Sequence, residues 1–186
     1  MNEHPETPQR NGEPDAAPTI GTLVGRIAHA IERGLTPGDV ADLRRARPEE
    51  PGSPGFWKVV VHDLEPAGAL PPGGPARDEA ERRWASILFG LAHMGGLNQP
   101  QARLGRALAE AGFSELRFAR LLGSRGEALL DAVRTTARYL AAKGQPADWA
   151  DAARLVLAET GPAAERFRRQ LARDYYRTVN LEAQGS

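Results

Sequence analysis

No cysteine occurs in the 186 residues. That excludes a disulfide framework, a thiolate metal site and a cysteine nucleophile. Long apolar runs are missing too, and without a stretch of about eighteen such residues the sequence offers no membrane-spanning helix. The opening segment MNEHPETPQRNGEPD is polar and acidic, the opposite of a secretory signal. The chain therefore reads as a soluble cytoplasmic protein. Histidine is scarce: His4, His29, His62 and His93 lie far apart, and no two share the i,i+4 spacing of a helical ligand pair. No metal site is expected. Phosphate-cradling glycine loops of the Walker or dinucleotide type do not occur. Ser53, Ser86, Ser114 and Ser124 lack a nucleophile-elbow context. The acids Asp78, Glu79 and Glu81 sit at a helix start, where the helix dipole favours them. No catalytic constellation and no cofactor are expected.

Lysine is nearly missing as well. Of 24 basic residues only Lys58 and Lys143 are lysine; the rest are arginine. GC-rich codon usage produces such a bias, and arginine also suits bidentate phosphate contacts. Net charge is zero, but the zero is an average. Residues 1–18 carry four acids against one arginine, while residues 103–125 and 161–180 each carry five arginines against two acids. Cationic charge is segregated toward the C-terminal half.

What is present is helical. Alanine, leucine, arginine and glutamate dominate, and period-two alternation is never sustained. Residues 1–18, with four prolines and few aliphatics, cannot repay their ordering entropy and read as a disordered tail. Glu65–Pro75, EPAGALPPGGP, reads as a long loop. Thr19 caps a first helix to Arg33, and Thr36-Pro37 starts a second. PGFWKVVVHDL reads as a third, with Trp57, Val60, Val61 and Leu64 inward. Arg77–Met94 forms a fourth around Trp84, Leu88 and Leu91, stopped by Gly95-Gly96. Gln101–Ala111 is a fifth, Ser114 caps a sixth, and Ser124 with Glu127 forms a capping box for a helix to Lys143. Asp148 caps the helix containing Trp149, and a last helix follows Gly161-Pro162. The expected fold is all-α: two packed helical bundles, residues 19–96 and 97–180, with the Gly/Pro-rich loop inside the first half and a flexible terminus at 181–186.

In the last helix Arg166, Arg169, Arg173 and Arg177 line one face, and Phe167, Leu171 and Tyr175 another. Glu165 and Asp174 are the acids placed to neutralise some of that ridge. Arg103 with Arg106, Arg117 with Arg120, and Arg134 with Arg138 are further pairs at helical spacing. Four helices with outward arginines point to a surface that tracks phosphates. Two other readings stand beside it. ALAEAGFSELRFARLL has the outline of a helix-turn-helix DNA-binding unit, and the arginines also suit acidic protein partners of a purely structural scaffold.

Several motifs coincide in order: Phe56-Trp57, then Trp84, then LGRALAEAGFSELRFARLL from Leu104 to Leu122, then RYL…DW from Arg138 to Trp149, then RRQLARDYY. In that order the chain resembles the small subunit of the type I-E CRISPR Cascade surveillance complex, the CasB family, over roughly residues 20–180. The resemblance implies a non-enzymatic helical subunit, present as two stacked copies, partnered by the backbone and large subunits, guide RNA and the displaced single-stranded non-target DNA of an R-loop. By position it implicates Arg44, Arg45, Arg106, Arg117, Arg138 and Arg166 or Arg168 in nucleic-acid binding. Arg120, Arg134, Arg169 and Arg173 join them on spacing alone. Two departures stand out: the loop GGLNQPQA is short and uncharged, and the acidic tail has no matching counterpart. Phe113, Phe118, Trp149 and Phe167 read as core, so contacts to the backbone rather than base stacking are expected.

Overall fold

The computed structural model describes residues 17–47, 52–158 and 160–184, so the acidic stretch read at 1–18 lies almost wholly outside the described residues. The described residues form nine α-helices: α1 (Ile20–Arg33), α2 (Pro37–Arg45), α3 (Pro54–Val59), α4 (Pro75–Met94), α5 (Leu104–Glu110), α6 (Glu115–Gly123), α7 (Gly126–Lys143), α8 (Trp149–Leu157) and α9 (Pro162–Gln184). The all-α class is as expected. α4 lies at the centre, against α2 on one side and α7 and α8 on the other. One continuous apolar core runs from Leu23 and Ile27 of α1 through Trp84 and Leu88 to Val133, Trp149 and Tyr175. The two halves therefore share a core. α9 continues to Gln184, past the boundary read at residue 180.

Local chemistry explains most helix starts. The Thr19 hydroxyl accepts from the Thr22 N–H at 3.2 Å, and the Asp148 carboxylate from the Ala150 N–H at 3.0 Å. At α2 the capping box is reciprocal: Thr36 Oγ1 accepts from the Asp39 N–H, and Asp39 Oδ2 accepts from the Thr36 N–H and hydroxyl at 3.1 and 2.7 Å. The same Oδ2 accepts from the Lys58 ammonium at 2.7 Å, tying α2 to α3. Lys58 first, then Thr36, holds the Asp39 carboxyl down to about 2. The folded pKa is depressed, so this stabilisation is complete above about pH 4 and is lost as pH falls toward 2. Following the Asp39 carboxyl resonance against pH checks this. In Lys58→Met its midpoint is expected to rise toward that of an ordinary aspartate; an unchanged midpoint would show that Lys58 does not hold the carboxylate.

Three expectations are corrected by packing. First, α3 widens into a π-helical turn at Val60–Leu64, where the Glu65 N–H donates to Val60 O. The buried residues keep a helical stripe through it, but that stripe starts from Phe56 and not from Trp57. Phe56, Val59, Val60 and Leu64 are buried, while Trp57 and Val61 lie outside at 42% and 53% exposure. Second, α5 begins at Leu104, not Gln101. Residues 97–102 are used in pairing with the segment before α8: Gln99 N–H donates to Ala147 O, Ala147 N–H to Leu97 O, and Asp148 N–H to Ala102 O. Gln101 adopts φ 73° within that segment. Third, no Ser124–Glu127 capping box forms. The Ser124 N–H and hydroxyl both donate to Arg120 O, closing α6, and Arg125 occupies the cap position of α7. Ser114 does stand at the N-cap of α6, without a hydroxyl capping bond.

Candidate nucleic-acid interface

Tertiary structure sorts the arginines into groups that their spacing does not distinguish. One group is held by carboxylates. Arg45 pairs with Asp42 at 2.9 Å and Arg106 with Glu110 at 2.6 Å. Arg125 reaches Glu165 at 3.0 Å. Arg103 lies 3.4 Å from Asp151 and 3.2 Å from Asp174. Asp151 is buried, and burial pushes its carboxyl up despite the neighbouring arginines. It accepts the Leu104 N–H at 3.1 Å and the Arg154 guanidinium at 2.8 Å, supplying α5 with the cap that Arg103 does not.

These pairings decide the state of the α9 ridge. Glu165 and Asp174 are the two acids placed to neutralise it, yet they are engaged by Arg125 and Arg103. Among the described residues, Arg166, Arg169, Arg173 and Arg177 have no carboxylate within 4.0 Å, and all four are exposed. α9 is held in place by its other face, where Leu171 and Tyr175 are buried. The Tyr175 ring stacks on Phe118 of α6 at 3.9 Å, and its hydroxyl donates to Phe113 O. Gly105 lets α5 approach closely: a Cβ there would lie 2.3 Å from Leu171 O.

Arg168 departs from the expected surface set. It is 4% exposed and donates to Leu122 O at the end of α6. A side chain enclosed in that way joins α9 to α6 and cannot meet a strand in solvent. Its register explains this: it lies three residues before Leu171 and seven before Tyr175, on the buried face.

A second group converges from two helices, α2 and α7, on a third, α4. Arg44 of α2 donates through Nε to Ala92 O at 2.7 Å. Arg134 of α7 donates to Ala46 O at 2.7 Å and lies over the Phe89 ring at 4.1 Å. Arg138, one turn on, lies over the same ring at 4.9 Å. Arg44 and Arg138 are exposed and Arg134 is half-buried. Carbonyl hydrogen bonds and cation–π contacts orient the guanidinium groups of Arg44 and Arg138 without cancelling their charge. His93 stacks beside Phe89 at 4.1 Å, with Nδ1 2.9 Å from Phe89 O. Burial lowers its pKa, and Arg138, Arg44 and Arg134 lower it further. No sequence signal links positions 44, 93, 134 and 138.

Arg117 and Arg120 rim a groove of about 390 Å³ between α6 and α7, floored by Leu121, Ala132 and Thr136. Arg117 lies 5.7 Å from the Tyr139 ring centre. Among the described residues, no three His, Cys, Asp or Glu side chains come together as a metal ligand set, and no helix is long and apolar enough to cross a membrane.

Comparison with known proteins bears on this surface. The sequence pattern that defines CRISPR-associated protein Cse2 matches residues 39–176. No curated protein matches the chain. Among solved structures, a chain in the crystal structure of E. coli Cascade bound to a PAM-containing dsDNA target shares its fold: TM-score 0.62, 24% identity, 84% of this chain and 95% of that chain covered. With the defining pattern spanning well over half of its length, the protein belongs to the CRISPR-associated Cse2 family, the small-subunit CasB family that its order of helix motifs resembles.

Proposed function

We propose that this protein is a non-catalytic, cytoplasmic subunit of a type I-E CRISPR surveillance complex. It holds nucleic-acid phosphates along its arginines and stabilises the R-loop through the displaced strand and the nearby guide and target strands. The observation that carries this reading is the convergence of Arg44, Arg134 and Arg138 on the end of α4, at Ala92 O and the Phe89 ring, from helices far apart in sequence. The acid-free ridge of α9 and the rim arginines Arg117 and Arg120 support it. Arg45 and Arg106 stay in the proposed set as exposed but carboxylate-paired groups; Arg168 leaves it. In guide-directed recognition base pairing reads the sequence, and protein contacts to the backbone tip a near-balanced strand exchange. Oriented arginines without base-reading geometry suit that work. The backbone and large subunits and a second copy of this chain are the partners the reading implies.

Titrating salt against binding tests it. The purified chain is expected to bind single strands weakly and without sequence preference. Affinity should fall steeply with salt, and the slope should drop by about 0.7 for each phosphate-contacting arginine removed. Sequence preference on duplex DNA of roughly a thousandfold or more would instead make it a helix-turn-helix regulator. Normal R-loop formation by a complex lacking the chain would leave only a protein-binding scaffold.

A further inference from the structure

Tyr176 is one of few large aromatic side chains that the fold leaves in solvent. It is 39% exposed, while Phe56, Phe89, Phe113, Phe118, Trp84, Trp149 and Tyr175 are all buried. Its place on α9 matters more than its exposure. It follows Arg169 by seven residues and Arg173 by three, so it rises from the cationic face, about 20° around the helix from Arg169. The ring is also supported. It stands perpendicular to Tyr175 at 5.2 Å (88°) and to Phe118 at 6.0 Å (82°), two rings that are themselves stacked in the core. Its hydroxyl has no hydrogen-bond partner among the described residues. A solvent-facing phenol ring buttressed from below loses little freedom when a flat group lands on it.

We propose that Tyr176 is a base-stacking platform, and that the α9 ridge binds a single strand with phosphates on Arg169 and Arg173 and an unstacked base on the Tyr176 ring. The assignment rests on the phosphate-binding reading above and adds an aromatic contact to it. Duplex DNA keeps its base faces stacked inside the helix and cannot supply that face; a displaced or looped strand can. Ridge arginines with no carboxylate partner beside a supported ring meet both needs of a single strand, charge for its backbone and a flat apolar surface for its bases. Every base has such a face, so the contact carries little sequence preference.

The test compares two strands of equal charge, an oligothymidine of about 12 nucleotides and an abasic backbone of the same length, each titrated with the full-length chain by fluorescence anisotropy. The wild-type chain is expected to prefer oligothymidine by about fivefold or more, the lower end of one base–aromatic stack. Tyr176→Ala should abolish that preference while leaving abasic binding and the salt slope unchanged. Tyr176→Trp should keep it. Arg173→Ala should weaken both strands alike. Equal wild-type affinity for the two strands, with Arg173→Ala still weakening each, would overturn the stacking assignment and leave phosphate binding standing. If neither strand binds at low salt, both fall. A preference that survives in folded Tyr176→Ala would place the stacking elsewhere.

Discussion

Replacing Trp149 with alanine is expected to cost about 3–5 kcal/mol of folding stability, a large share of the roughly 5–15 kcal/mol that holds a domain folded. The indole is fully enclosed. Its Nε1–H donates to Ile87 O at 3.0 Å, and its backbone N–H donates to Asn98 Oδ1 at 3.0 Å. It fills the space above Gly90, where an added Cβ would lie 2.1 Å from Cζ2. α4 and α8 meet at this contact, so the indole wedges the N-terminal half against the C-terminal half. Alanine would leave a cavity at that joint and remove the hydrogen bond across it. Gly90→Ala approaches the same contact from the other side and should also destabilise, by about 1–3 kcal/mol through overpacking. Denaturant unfolding gives the measurement. Because the core is continuous, a single transition with a lowered midpoint is expected, not the loss of one half. The same holds for Trp84→Ala, whose indole is buried in that core and donates to Ala69 O at 3.3 Å. A loss below about 1 kcal/mol for Trp149→Ala would mean that the joint repacks around a smaller side chain.

The triple replacement Arg117→Ala, Arg138→Ala and Arg166→Ala should reverse that pattern. Each side chain is exposed, and none has a carboxylate within 4.0 Å among the described residues. Each should therefore change stability by no more than about 0.5 kcal/mol. Assembled into the complex, the triple variant should form R-loops on the order of a hundredfold more weakly at low salt, at about 1 kcal/mol per lost charged contact. The loss should be uniform across target sequences and shrink as salt rises. Arg168→Ala is the built-in contrast. It removes the buried guanidinium that holds Leu122 O, so it should lower stability by about 1–3 kcal/mol without changing the salt slope. If the triple variant melts early and forms R-loops normally, its arginines are structural and the proposed function fails.

Helix boundaries written in local chemistry were legible from the residues. Thr19, the Thr36-Pro37 pair and Asp148 start helices where expected, because a cap needs only its own side chain and the next few N–H groups. The α5 start was not legible, since Leu104 takes its cap from Asp151, 47 residues on. Ser124 has the spacing of a capping box, yet its hydroxyl turns back to Arg120 O; both bonds are open to a serine at a helix junction, and packing chose between them. Trp57 and Val61 read as core from their spacing, yet packing buries the neighbouring stripe of Phe56, Val59, Val60 and Leu64.

For the arginines the division is sharper. The amphipathic α9, with Leu171 and Tyr175 inward and Arg166, Arg169, Arg173 and Arg177 outward, follows from the sequence alone, because helical period and side-chain polarity are local properties. So do the all-α class and the lack of any thiol chemistry. Which of those arginines keep an uncompensated charge is not local. Glu165 and Asp174 lie within the ridge's own sequence, but the fold hands them to Arg125 and Arg103. Arg134 and Arg138 gather on Phe89, and Arg44 on Ala92 O beside it, only because α2, α4 and α7 pack together. Charge pairing depends on distance through space, and distances of a few ångströms between residues tens of positions apart exist only once the core has closed.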